Sequence, residues 1–172
     1  MNSVDAKLLI VGDGPIRQEL EAEAGENALI CSRVSFLGPV EDITPYYHAC
    51  DVFVLPSIAR SEGFGIVQLE AMACGKPVVN TRLQSGVPFV SLDGVTGVTV
   101  APGNSAELAD ALNELLDDAV LRQRYGAAAL HRARTEFTVG AMVKRTLDVY
   151  RKVVRPGRDL AAATVKGAGD HN

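Results

Sequence analysis

Short runs of Val, Ile and Leu alternate along the chain with segments of helical periodicity. Each apolar run is followed by Gly, Pro or small polar residues, as expected for a buried strand that ends in a loop. The predicted strands lie in 7–15, 34–38, 51–56, 77–81 and 97–102. The predicted helices lie in 15–24, 42–50, 64–74, 105–117, 119–134 and 139–154.

Polar residues mark the starts of two predicted helices. Thr44 is the predicted N-cap of helix 42–50, with a proline at its first helical position. Either Asn104 or Ser105 is expected to cap the next long helix, which carries a leucine-rich stripe. These signals support the helical assignments independently of periodicity.

Unbroken apolar strands that alternate with helices predict an α/β fold of the Rossmann type, a parallel sheet with helices on both faces. Ligands of such sheets bind at the carboxyl ends of the strands. The segments expected at that edge are loops rich in Gly, Pro and small polar residues, namely 12–15, 38–42, 56–65, 81–88 and 101–104. We expect residues 1–155 to form one domain and residues 156–172 to form a flexible tail, because the tail has little to bury.

Composition excludes some function classes. The chain has 172 residues, 47% of them hydrophobic, and a formal net charge of −4, so nucleic acid is not a predicted partner. No apolar run reaches the ~18 residues of a membrane span, and no secretory signal is recognised, so a cytoplasmic location is expected. Cys31, Cys50 and Cys74 lack C-x-x-C spacing, which argues against a zinc site and predicts buried thiols.

The segment SEGFGIVQLEAMACGKPVV, residues 61–79, carries the candidate chemistry. A helix that begins near Phe64 or Gly65 would point free N–H groups at the binding edge, where an anion such as phosphate binds. Glu62 precedes this turn, and Glu70 lies one turn deeper on the same face. A carboxylate can accept two hydrogen bonds from a vicinal diol such as ribose. The pattern therefore favours a nucleotide-sugar site; the alternative is that Glu70 pairs with Lys76 and that Glu62 is an ordinary loop acid.

The same segment resembles the donor-site signature of family 4 retaining glycosyltransferases, which have the GT-B fold. The similarity also includes LLIVGDGP, VSFLGPVEDITPYYHACDVFVLPS and DGVTGVTVAPGNSAELADAL, and it covers roughly residues 7–154. It implies the C-terminal, donor-binding half of a GT-B fold without its first strand–helix unit. The loop SGVPFVS, where the family pattern usually has more glycine and an acid, is similar to bacterial polysaccharide mannosyl- or galactosyltransferases.

The resemblance implies a role for each matching position. Glu62 would be catalytic, holding the transferred sugar for a front-face reaction, and Glu70 would bind the ribose. The residues implied to contact the donor sugar and diphosphate are Gly63, Phe64, Gly65, Ile66 and Val67, and those implied to border the base are Gly12, Asp13, Gly14, Val40 and Asp42. No cofactor and no metal is implied. The expected donor is GDP- or UDP-linked, and the expected acceptor is a glycan or a lipid-linked sugar in polysaccharide biosynthesis.

The chain departs from the family pattern at its start. The family's diphosphate-binding Arg and Lys and its acceptor-binding N-terminal domain precede LLIVGDGP, so we expect very slow turnover by this chain alone. Arg60 or Arg82 could substitute in part. In the strand order 3-2-1-4-5-6 the first strand is central. Without it the strands must pair differently, borrow a strand by exchange or self-association, or pack imperfectly.

The sequence also allows other interpretations. A nicotinamide-binding Rossmann domain is disfavoured, because GDGPIR places Arg17 at the third glycine position of the fingerprint. A non-catalytic nucleotide-sugar-binding fragment and a GT-B relative such as a nucleotide-sugar epimerase remain as alternatives. The basic segment 144–158 could contact the inner face of an anionic membrane peripherally, or it could be a solvated helix face.

Overall fold

The computed structural model of the chain describes residues 6–154. Strands and helices alternate as the sequence predicts. The strands are β1 (Leu8–Val11), β2 (Val34–Gly38), β3 (Phe53–Leu55), β4 (Val78–Thr81) and β5 (Gly97–Val100). The helices are α1 (Arg17–Gly25), α2 (Ala28–Cys31), α3 (Thr44–Ala49), α4 (Ile66–Ala73), α5 (Val87–Val90), α6 (Ser105–Asp117), α7 (Ala119–Glu136) and α8 (Val139–Val153). Helices α2 and α5 are not predicted from the sequence, because single-turn helices are too short to show a period.

Tertiary contacts divide the chain into two units, with the boundary between Arg134 and Thr135. The first unit holds all five strands and helices α1 to α6, and α7 crosses the boundary. The second unit holds α8. The predicted tail, 156–172, lies outside the described residues, so the predicted domain bounds stay a prediction.

The five strands are parallel, as predicted, but they form two sheets rather than one. Strand β1 pairs with β2, and β3, β4 and β5 pair in that order. Within residues 6–154, no ladder joins β1 to β3. In the order 3-2-1-4-5-6 these are the two strands that flank the central position. The split therefore falls at the position that the central strand occupies in that order.

The core of the first unit lies over β4 and β5. Val79 and Val100 from these strands pack against Ala111 and Leu115 of α6 and Tyr125 of α7. Full burial of one such aliphatic side chain contributes roughly 1.5–3 kcal/mol. The core thus fixes the sheet β3–β4–β5, whose carboxyl ends lie along one edge.

Capping explains where two helices begin and corrects one prediction. Helix α3 starts at Thr44, so Thr44 is not its N-cap; the Asp42 carboxylate instead accepts a hydrogen bond from the Thr44 N–H at 2.9 Å. Of the two predicted caps of α6, Asn104 and Ser105, the structure shows Asn104 as the N-cap. Its side chain accepts a hydrogen bond from the Glu107 N–H at 3.1 Å. The prediction that all three cysteines are buried is wrong: Cys31 is exposed, and Cys50 and Cys74 are only half-buried.

Helix α8 of the second unit carries many exposed apolar side chains. Its start is capped by Thr138, whose hydroxyl accepts from the Ala141 N–H at 3.1 Å. The exposed apolar side chains are Val139, Met142, Val143, Leu147, Val149, Tyr150 and Val153. None of the helices in residues 6–154 is both long enough and apolar enough to cross a bilayer. Membrane contact by this basic helix stays a prediction.

Candidate functional site

The Gly-Phe-Gly turn follows β3 and leads into α4. The Glu62 carboxylate accepts a hydrogen bond from the Gly65 N–H at 3.0 Å, which closes the turn on itself. Gly65 has a left-handed conformation with φ of 69°, and a Cβ there would lie 2.6 Å from Leu55 Cδ2. Both conformation and space therefore require glycine. Helix α4 then begins at Ile66, slightly later than predicted.

A buried amide network lies beneath this turn. The Gln68 side chain donates to the carbonyl of Phe64 at 2.8 Å and to that of Val87 at 3.2 Å. Asn80 donates to Gln68 Oε1 at 3.2 Å and accepts from the Thr99 hydroxyl at 2.8 Å. The network ties the turn to α5 and to the strands β4 and β5. Sequence reasoning missed it, because no local pattern pairs residues so far apart in the chain.

Helix α5 packs directly on the Gly-Phe-Gly turn. The Gly86 N–H donates to the Gly63 carbonyl at 2.7 Å, and a Cβ on Gly86 would lie 2.8 Å both from that oxygen and from the Phe64 ring. From α7, the Arg132 guanidinium donates to the carbonyl of Val90 at 3.0 Å. The end of the predicted loop 81–88 is therefore helical, and this helix supports the turn.

A concavity of about 300 Å³ lies beside the turn, at the carboxyl end of β3. Its lining residues are Ser57, Ile58, Ala59, Ser61 and Glu62. At the start of α4 the Ile66 side chain is 65% exposed and that of Val67 is 37% exposed. A ligand at this edge thus meets a carboxylate, a helix start and apolar contact surface together.

Glu70 lies farther along α4 and is exposed. The Tyr47 hydroxyl of α3 donates to Glu70 Oε2 at 2.7 Å. The Lys76 ammonium donates elsewhere, to the His48 carbonyl at 2.9 Å. The structure therefore does not support the alternative in which Lys76 pairs with Glu70, and it reveals Tyr47 as a partner that the sequence did not suggest.

The Tyr47 hydroxyl is held in its protonated form. Burial of the ring, the hydrogen bond to Glu70 and the nearby carboxylate charge all raise the pKa of Tyr47 well above its usual range. Tyr47 is 4% exposed, and its ring packs edge-on against Phe53 with centroids 5.7 Å apart. The phenol is therefore a fixed hydrogen-bond donor at neutral pH.

The predicted base-binding residues lie at the ends of β1 and β2. The Gly12 N–H donates to the Gly38 carbonyl at 2.8 Å, which joins the two loops. The Asp13 carboxylate accepts from the Gly14 N–H at 2.8 Å. The hydrogen bonds of Thr44 to the Asp42 carboxylate hold the pKa of Asp42 below its usual value. Val40, which lies in the sequence between β2 and α3, is half-buried. The base-binding roles of these residues stay predictions.

Arg60 and Arg82 are both exposed. The Arg82 guanidinium donates to the Thr99 carbonyl at 3.1 Å, so part of its donor capacity is used within the protein.

Among the described residues, no group of three or more His, Cys, Asp or Glu side chains could hold a metal ion. A larger cavity of about 490 Å³ in the second unit contains none of the predicted site residues.

Comparison with known proteins finds one matching family and several similar proteins. Residues 1–118 match the family described as glycosyl transferases group 1. O-antigen chain mannosyltransferase C of Escherichia coli is 33% identical over 145 residues, which cover 83% of this chain and 38% of that protein. Phosphatidyl-myo-inositol mannosyltransferase of Mycobacterium leprae is 38% identical over 162 residues, which cover 93% of this chain and 41% of that protein.

Solved structures show the same relationship. Anabaena HepE in complex with UDP-glucose superposes with a TM-score of 0.75 at 30% identity, over 86% of this chain and 41% of that one. Sucrose-phosphate synthase from Thermosynechococcus elongatus gives a TM-score of 0.73 at 32% identity, over 85% of this chain and 38% of that one. This chain thus spans 38–41% of the length of these four proteins. The likeness confirms the predicted α/β fold of GT-B glycosyltransferases, and with a family match over more than half of its length the chain belongs to the glycosyl transferases of group 1.

Proposed function

We propose that the chain binds a nucleotide-diphosphate sugar, GDP- or UDP-linked, as the donor for transfer of a hexose to a glycan or lipid-linked acceptor. The observation that carries this proposal is the arrangement along one turn and one helix. Glu62 closes the turn, Ile66 begins α4, and Glu70 lies deeper on α4 beside Tyr47. The complex of HepE with UDP-glucose adds support from a relative.

The start of α4 is the proposed site of the diphosphate. The N–H groups of Ile66 and Val67 lie in the first turn of the helix, where backbone donors lack acceptors within the helix. The helix dipole adds roughly half a positive charge at this end. Diphosphate oxygens would accept hydrogen bonds from these N–H groups while the side chains of Ile66 and Val67 contact the ligand.

The two carboxylates would then each bind one sugar of the donor, Glu62 the transferred hexose and Glu70 the ribose. One oxygen of Glu62 accepts from Gly65, so the other oxygen would accept a hydroxyl of the transferred hexose. Gly63 presents no Cβ, and one added there would meet nothing within 4 Å, so the hexose could approach the backbone closely. Glu70 would accept the ribose hydroxyls.

The proposed reaction retains the anomeric configuration without a covalent nucleophile from this chain. Glu62 would orient the sugar for attack from the face that the diphosphate leaves, and the start of α4 would stabilise the departing diphosphate. A helix dipole offers ~0.3–2 kcal/mol, whereas one well-placed transition-state donor typically contributes ~2.7–4 kcal/mol. The helix start therefore supplies part of the stabilisation, and transfer needs further cationic groups that face the diphosphate.

Titration calorimetry tests this proposal with GDP, UDP and ADP, each beside a matching nucleotide-sugar. We expect one base to be preferred. Glu70→Ala should weaken binding of the nucleotide itself, while Glu62→Ala should remove mainly the additional affinity that the hexose provides. Glu114→Ala, an exposed glutamate of α6, is the matched control and should bind as the unchanged protein does.

Two results would contradict the proposal. Absence of binding for every nucleotide and nucleotide-sugar would remove the donor site altogether. Equal loss of nucleoside-diphosphate affinity in Glu70→Ala and Glu62→Ala would contradict the separate roles of the two carboxylates.

A further inference from the structure

We propose that Tyr47 is a positioning residue of the nucleotide site, which orients the Glu70 carboxylate so that its free oxygen meets the ribose diol. The inference rests on the proposed function, since it assigns a support to the same site. Neither Tyr47 nor α3 lies in the segment 61–79, which carries the predicted donor-site signature.

A buried phenol donates a hydrogen bond to an exposed carboxylate. Tyr47 is almost fully buried, and Phe53 packs edge-on against its ring. Glu70 is an exposed glutamate on a helix surface, where such a side chain ordinarily samples several rotamers. The hydrogen bond of 2.7 Å from the phenol to Oε2 joins the two across 23 positions of sequence.

Helix α3 is itself anchored, so the phenol has a fixed position. The Lys76 ammonium, beyond the end of α4, donates to the His48 carbonyl at 2.9 Å. The hydrogen bond of 3.4 Å from the Cys50 thiol to the Tyr47 carbonyl lies within the end of α3 itself. Because α3 and α4 are tied at both the Tyr47 and the Lys76 contacts, the hydroxyl and the carboxylate hold their relative positions.

Fixing one carboxylate oxygen has a consequence for a diol ligand. A diol bonds strongly to a carboxylate only if the acceptor oxygen is correctly oriented, and orientation before binding lowers the entropy lost on binding. With Oε2 engaged by Tyr47, Oε1 of Glu70 is left to accept from the ribose. Tyr47 thereby contributes to the discrimination between ribose and deoxyribose.

The test compares UDP with 2′-deoxy-UDP, and GDP with 2′-deoxy-GDP, by calorimetry on the protein and on Tyr47→Phe. The substitution removes only the hydroxyl and keeps the ring in the core. We expect ribonucleotide affinity to fall about three- to tenfold, the size of one lost hydrogen bond of modest net strength. The 2′-deoxy forms should lose much less, so that the ratio of the two affinities shrinks. Tyr46→Phe on the same helix is the matched control and should leave that ratio unchanged.

A double-mutant cycle separates positioning from a general effect on folding. If Tyr47 acts through Glu70, Tyr47→Phe should change nothing further in a Glu70→Ala background. An equal loss for ribo and deoxy forms, or a further loss in the Glu70→Ala background, would show a merely structural role and overturn the inference. Unchanged affinity in Tyr47→Phe with lost affinity in Glu70→Ala would overturn the inference and leave the proposed function standing. Failure of the unchanged protein to bind any nucleotide would overturn both.

Discussion

Asn80 Nδ2 donates a hydrogen bond to Gln68 Oε1 at 3.2 Å, and the two side chains are 1% and 0% exposed. This contact joins the middle of β4 to the first turn of α4, directly beneath the candidate site. Each amide also bonds to the Val87 carbonyl of α5. Strand, turn and supporting helix are thus held by one buried polar network.

The first prediction concerns the stability of this network. Gln68→Leu or Asn80→Leu should each lower the free energy of unfolding by ~1–3 kcal/mol, because each leaves buried polar groups without partners. The double variant should lose less than the sum of the two, since it removes both members of the shared hydrogen bond. Urea unfolding followed by circular dichroism measures all three values. Strict additivity would show that the two amides do not cooperate.

The second prediction concerns the close approach of a ligand to Gly63. Its φ lies outside the left-handed region and a Cβ there would meet nothing within 4 Å, so Gly63→Ala should leave the melting temperature nearly unchanged. The added methyl group should nevertheless obstruct the hexose. We expect affinity for the nucleotide-sugar to fall about tenfold, as overpacking of a contact by one methyl group costs ~1–3 kcal/mol. Affinity for the nucleoside diphosphate alone should change little.

Two glycine variants complete that experiment. Gly25→Ala at the end of α1 is the matched control, because a Cβ there also meets nothing within 4 Å. Gly86→Ala should behave differently from both, since its Cβ would press on the Gly63 carbonyl and the Phe64 ring. It should lower the melting temperature as well as the affinity. A Gly63→Ala protein that binds the nucleotide-sugar normally would exclude Gly63 from the sugar contact.

The sequence predicts features that depend on near neighbours in the chain. The five strands follow from their Val, Ile and Leu runs, and α4 ends where Gly75 adopts a φ of 74°, as its stop signal predicts. Features that depend on distant residues were not predictable. The Tyr47–Glu70 hydrogen bond and the Gln68–Asn80 pair arise only after α3, α4 and β4 pack together.

The pairing of the strands into sheets is likewise not predictable from local sequence. Each strand is recognisable locally, but the division into β1–β2 and β3–β4–β5 is a property of pairing between strands. The sequence left three alternatives for a sheet without its central strand, and the structure has separate sheets. The roles of Glu62, Glu70 and the base-bordering loops depend on a ligand and stay predictions.

The third prediction concerns alkaline pH. The pKa of Tyr47 is raised in the folded protein by burial and by Glu70, whereas an unfolded tyrosine titrates near a pKa of about 10. Above about pH 10 the unfolded chain therefore releases the phenol proton more readily than the folded protein does, so stability falls as pH rises. Tyr47→Phe should show a shallower decline of the urea midpoint between about pH 8 and about pH 11. Tyr46→Phe, the control on α3, should decline as the unchanged protein does.

The fourth prediction concerns metal ions. If the start of α4 and backbone donors hold the diphosphate, donor binding should not depend on a divalent cation. Affinity for the preferred nucleotide-sugar, measured by calorimetry in excess EDTA and in excess Mg²⁺, should agree within about twofold. The melting temperature of the protein, measured in both buffers, controls for effects of the chelator on the fold. A loss of about tenfold in EDTA that Mg²⁺ restores would assign the diphosphate to a cation instead of the helix start. The carboxylates of Glu62 and Glu70 would then have to be reconsidered as ligands of that cation.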